Sequence, residues 1–82
     1  MPGYRYSVSQ SALETFAECD PAEQARLQRA FETVSHDPEG HAEIVRIEQG
    51  REIHGRWFGN WLVIYYLDHP IRTVVITDCI WS

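Results

Sequence analysis

The sequence has no lysine: all seven basic residues are arginine, set against twelve acidic ones, and the formal charge is −5. General polyanion binders draw most of their affinity from excess cations, so this balance argues against that class. Arginine grips phosphate bidentately, but its exclusive use here reads more simply as a mark of genome composition. No apolar run approaches membrane-spanning length. There is no glycine-rich phosphate loop, no defensible Ser-His-Asp spacing, no repeat and no linker. Only two cysteines occur, Cys19 and Cys79, without metal-type spacing. With no signal-peptide pattern at the N-terminus they are expected as free thiols in a reducing compartment, and the chain as soluble and cytosolic. That context disfavours the alternative, a Cys19–Cys79 disulfide.

What is present is enough for one small folded domain over residues 1–82. The hydrophobic fraction is 44% and the aromatic fraction 12%, above what a disordered chain carries. Tyr4 to Ser9 alternates, with Tyr4, Tyr6 and Val8 on one side, and reads as a strand. Ser11-Ala12-Leu13-Glu14 has the form of a capping box, with Ser9 as a competing cap, and Leu13, Phe16 and Ala17 make an apolar stripe. Asp20-Pro21-Ala22-Glu23 is a stronger helix start, in which Glu23 can reach back to the cap. Leu27, Ala30, Phe31 and Val34 follow at the spacing of one buried face.

From Glu43 the period becomes alternating. Glu43–Glu48, Glu52–Phe58, Trp61–Asp68 and Thr73–Cys79 read as strands, joined by Gln49-Gly50, Gly59-Asn60 and the loop from His69 to Arg72. The order β-α-α-β-β-β-β predicts an α+β fold: a mostly antiparallel sheet with both helices on one face and the other face partly open.

The His36–His41 loop, H-D-P-E-G-H, holds two imidazoles and two carboxylates. Pro38 and Gly40 are ordinary turn punctuation there, and a metal needs converging ligands, so neither metal nor cofactor is expected. The hairpin is the better candidate. With a two-residue loop at Gly59-Asn60, Arg56 lies opposite Val63 and His54 opposite Tyr65, all four on one face. Arg46 and Arg51, on or next to the preceding strand, add positive charge. Arginine can hold a phosphate and stabilise charge developing on it, and an imidazole can give or take a proton near neutral pH. Such a set suits metal-free phosphodiester cleavage by a ribose 2′-hydroxyl. The competing reading is a half-exposed strand whose polar residues are simply wetted.

The element order, the early S-x-S-A, the D-P after the long helix and G-N-W-L-V-I-Y-Y-L-D resemble the RelE/ParE superfamily of toxins from bacterial type II toxin–antitoxin modules. The family's central strand runs roughly G-x-Y-R-V-I-Y-R-I-D; Trp61 takes its aromatic position, Val63-Ile64-Tyr65 match, and Asp68 closes the strand. The resemblance implies a RelE-like fold and a toxin held inactive by a cognate antitoxin. RelE-like members cut messenger RNA on the ribosome, whereas ParE-like members poison DNA gyrase. In the nuclease reading Arg56 and Arg51 contact the scissile phosphate, His54 is the acid or base, and Arg46 is an accessory charge. Tyr65 and Trp81 are then substrate-binding candidates, Trp81 stacking on a base or packing at a sheet edge. Leu62 replaces the arginine after the aromatic, Ile80 falls near the usual C-terminal arginine, and the terminal Tyr or His is missing. These departures keep the alternative in view: a ParE-like gyrase poison or a non-catalytic RelE-fold binding protein.

Overall fold

Ser9 and Asp20 start the two helices. The computed structural model describes residues 4–40 and 42–82. In it β1 (Arg5–Val8) leads into α1 (Gln10–Glu18) and α2 (Pro21–His36), followed by β2 (Ile44–Glu48), β3 (Arg51–Phe58), β4 (Trp61–Asp68) and β5 (Thr73–Trp81). Of the two competing caps on α1 the earlier is used: Ser9 Oγ accepts the Ala12 N–H at 3.3 Å. Starting there rotates the buried face, so Ala12 is fully buried while Leu13 stays 52% exposed. Phe16 still packs on the core, and Ala17 points to solvent.

On α2, Pro21 opens the helix and Asp20 Oδ1 accepts the Glu23 N–H at 2.9 Å. Glu23 does not reach back to the cap. Its carboxylate accepts from Trp61 Nε1 at 3.1 Å and pairs with Arg26 at 3.3 Å, which ties the start of α2 to the tip of the β3–β4 hairpin. Leu27, Ala30, Phe31 and Val34 are buried, as their spacing predicts.

The sheet order is β1-β5-β4-β3-β2, with β1 parallel to β5 and every other pair antiparallel. Both helices lie on one face: α1 packs on β5, and α2 on β1 and β5. Leu27, Phe31 and Val34 meet Val63, Tyr65, Val74 and Ile76 there in a single core. Burying a side chain of that size contributes about 1.5–3 kcal/mol. No helix is long and apolar enough to cross a membrane among the described residues.

Turn chemistry sets the registers. Gln49 and Gly50 both have positive φ (54° and 76°), the backbone of a type I′ hairpin turn. At Gly59-Asn60 only Gly59 is positive, at 62°, as in type II′. The β3–β4 register is the expected one, His54 opposite Tyr65 and Arg56 opposite Val63.

β5 departs from simple alternation. Tyr65 pairs with Ile76 but Ile64 with Asp78, so Thr77 is an extra residue, a β-bulge. The bulge reverses the facing of everything after it. Cys79 turns into the core, Asp78 and Ile80 turn to the open face, and the strand runs on to Trp81. The Thr77 carbonyl, displaced from the ladder, accepts from Ser9 Oγ at 2.8 Å.

Candidate functional site

The face of the sheet away from the helices forms a groove of ≈ 770 Å³. Its floor is apolar, from Ile44, Ile53, Leu62, Ile64 and Ile80, with Gly55 at the low point. A Cβ on Gly55 would come within 3.3 Å of Ile44 and Ile64 side-chain carbons, so any larger residue raises the floor. Two arginines stand at one end. The Arg51 guanidinium carbon lies 4.0 Å from the Tyr66 ring centroid, a cation–π contact that holds its planar fork. Arg46 pairs with Glu48 at 2.8 Å on the exposed edge strand, a solvent-screened contact. Asp78 and Thr77 line the groove as well, and Asp78 Oδ1 accepts from Ser11 Oγ at 3.2 Å.

His54, Arg56 and Tyr65 point to the opposite face, toward the helices. Their pairing follows the expected register, but the helices cover that side of β4, and Tyr65 is 1% exposed. The His54 ring stacks on Tyr65, with centroids 5.4 Å apart and planes 12° from parallel. His54 Nε2 lies 3.3 Å from Glu52 Oε1, while Nδ1 is enclosed and has no hydrogen-bond partner. Burial pushes the Tyr65 phenol above its ordinary range; Arg56 offsets this in part and Asp37 adds to it. The Arg56 guanidinium carbon sits 5.0 Å from the Phe58 ring centroid.

Trp81 is on the helix side too, edge-on to Trp61 with centroids 5.2 Å apart. It is 55% exposed and lines a shallow pocket at the hairpin tip with Phe58, Arg26 and Arg29.

The six residues singled out in the sequence therefore fall into three places. Arg46 and Arg51 share the open groove, His54, Arg56 and Tyr65 share the helix side of the hairpin, and Trp81 belongs to the hairpin tip. A general acid or base needs hydrogen-bond reach of the proton it moves; His54 borders the groove and shares a smaller pocket with Arg51, but its ring is stacked on Tyr65 on the helix side. Hydroxyl and carboxyl groups also line the groove, from Glu48, Tyr66, Thr77 and Asp78. Sequence reading missed Tyr66 and Asp78. Tyr66 was discoverable, because it shares parity with Leu62 and Ile64 on β4; Asp78 was not, because its facing depends on the bulge. Within the 36–41 loop, His41 lies outside the described residues, and among those described no three His, Cys, Asp or Glu side chains converge as a metal site.

No protein-family profile and no curated protein matches the sequence. Solved structures do match. The RelBE2 toxin–antitoxin complex from Mycobacterium tuberculosis aligns with a TM-score of 0.82 at 20% identity, over 100% of this chain and 94% of that one. The archaeal RelE–RelB complex from Pyrococcus horikoshii OT3 aligns with a TM-score of 0.76 at 14% identity, over 96% of this chain and 94% of that one. The likeness runs over nearly the whole of each chain, and this chain has the RelE-like fold.

Proposed function

We propose that this chain is the toxin of a type II toxin–antitoxin module, neutralised by a cognate antitoxin and acting in the cytoplasm through the open face of its sheet. The full-length fold match to chains from two toxin–antitoxin complexes supports the module reading. The make-up of the groove supports action by contact, as in a ParE-like gyrase poison or a non-catalytic binding toxin. Its floor is apolar where a phosphate-cleaving surface would carry cations, and the His54 ring at its border is stacked against buried Tyr65 rather than free in the groove.

Ribosome-dependent cleavage of messenger RNA is the second reading, and Arg51 is the observation that favours it. A guanidinium stacked on Tyr66 at the rim of a groove is placed to grip a phosphate. In this reading Arg51 and Arg46 hold the phosphodiester, while Tyr66 or Asp78 moves the proton. His54 borders a smaller pocket with Arg51, whereas Arg56 sits against Phe58 toward the hairpin tip.

Expression of the chain alone, with growth and 5′-end mapping of messenger RNA followed together, tests both. Growth arrest without new ribosome-phased ends supports contact, and a supercoiling assay then asks whether gyrase is the target. Arrest with phased ends that Arg51→Ala abolishes supports cleavage. Unimpaired growth at high expression, with no partner captured by the neighbouring gene product, rejects the toxin assignment.

A further inference from the structure

β2 closes the sheet on one side, and none of the described residues covers it. Every residue of the strand is exposed, and it stands last in the sheet order. Among the described residues no element pairs with its outer side. The turn that follows fixes which backbone groups point outward. Gln49-Gly50 is a two-residue turn between the paired residues Glu48 and Arg51, and such turns are closed by a hydrogen-bonded pair. Glu48, Arg46 and Ile44 therefore aim their N–H and C=O at β3, while Val45 and Ile47 aim theirs outward. The side chains of Val45 and Ile47 are 52% and 67% exposed, on the helix side but beyond the reach of the helices. Natural edges of this kind are often blunted by charge, proline or shortness; β2 has no proline and no lysine, and its two charges, Arg46 and Glu48, are of opposite sign.

We propose that β2 pairs antiparallel with β2 of a second copy, about a two-fold axis through Ile47, joining two five-stranded sheets into one. In this register Ile47 exchanges both backbone hydrogen bonds with Ile47 of the second copy, using donors and acceptors that point outward. Their side chains meet on the helix side. On the open face Arg46 stands opposite Glu48 of the second copy, and Glu48 opposite its Arg46. The two side chains already meet at 2.8 Å within one chain, so both have the reach and share the face. Centring the axis on Arg46 instead would set the two Arg46 residues against each other and Ile44 against Glu48, and like charges directly opposite are unfavourable. Charge thus selects the register. The paired segment is short, well under the size of a standard stable interface, so association is weak and reversible.

Sedimentation equilibrium from micromolar to millimolar concentration reads the dimer directly. Ile47→Lys places a charge at the centre of the edge and weakens association at least tenfold, leaving the far-ultraviolet circular dichroism unchanged because the side chain is exposed. Arg46→Glu and Glu48→Arg each weaken self-association, and mixing the two variants restores a dimer of one chain of each kind. Ile47→Cys, across the axis, forms an intermolecular disulfide on mild oxidation, and Val45→Cys does so far more slowly. A chain that stays monomeric throughout the range overturns the proposal. So does equal cross-linking at 45 and 47, or a monomer whose β2 pairs only with a strand of another protein.

Discussion

At the scale of single residues, Cys79 and Glu23 carry the clearest consequences. Burial pushes the Cys79 thiol from its ordinary 9.0 up to about 12, with nearby Asp78 and Cys19 adding to it. Burial and the carboxylates of Glu23, Asp20 and Glu18 raise Cys19 as well. The thiolate is the reactive form, so neither cysteine should be alkylated quickly in the native chain at about pH 8.5, and both should react once urea unfolds it. Mass spectrometry after a timed iodoacetamide pulse measures this. Linkage gives the stability effect. Below pH 9 both folded and unfolded Cys79 are protonated and the contribution is fully present. As pH rises from 9 toward about 12 the unfolded chain sheds its proton and the folded one keeps it, so stability falls. The raised Tyr65 phenol acts in the same direction. A melting temperature that is flat or rising across that window would contradict both assignments.

Glu23 links elements that are distant in sequence, through the Trp61 indole at 3.1 Å. Glu23→Ala removes the acceptor from a part-buried N–H and should destabilise by about 1–2 kcal/mol in urea titrations, whereas Glu23→Gln, which keeps an acceptor oxygen, should lose less than half of that. Equal losses for the two variants would mean that charge at the helix start, rather than the indole contact, is what Glu23 supplies.

At the scale of elements, the turns make the sharpest test. Gln49 occupies a left-handed backbone position, φ 54°, that asparagine tolerates better than glutamine. Gln49→Asn should therefore stabilise by about 0.5 kcal/mol. Gly59, at φ 62° with open space around it, carries strain as its only penalty on substitution, and Gly59→Ala should cost about 1 kcal/mol. Chemical denaturation of the two variants side by side settles both signs.

The same elements explain what could be read from the sequence. Gly59-Asn60 and the alternation around it fixed the β3–β4 register, and Asp20-Pro21 fixed the long helix, because these signals are local. What was hidden is non-local. Which face of β3 is covered depends on where the helices land, so His54 and Arg56 were paired correctly but could not be assigned to the helix side. The bulge at Thr77 leaves no mark in the pattern Val74, Val75, Ile76, and without it Asp78 and Cys79 exchange faces. Ser9 and Ser11 both offered a cap. The choice fell to Ser9, whose N–H donates to the Ile76 carbonyl and whose hydroxyl donates to that of Thr77, partners supplied by the far end of the chain.

At the scale of the molecule, the two faces of the sheet have separate duties. The helix side holds the core; the open side is an apolar groove with Arg51 and Tyr66 at its rim. Substitutions on the open face should then change function more than stability. Leu62→Arg, half-buried on that face, should leave the fold intact and raise affinity for a short RNA in fluorescence anisotropy by at least about tenfold at low salt, since each added phosphate contact releases counterions. An unchanged affinity would indicate that the groove does not receive a phosphate backbone at all.

The parallel pairing of β1 with β5 also bears on time. Residues 5–8 find their partners at 73–76, almost the whole chain away, while every other strand pairs with its immediate successor. During synthesis β1 and both helices emerge long before the strand that completes their core. Closing so long a loop is slow compared with zipping a hairpin. The nascent chain thus stays open until β5 is free to pair, and the core and the groove behind it are completed together.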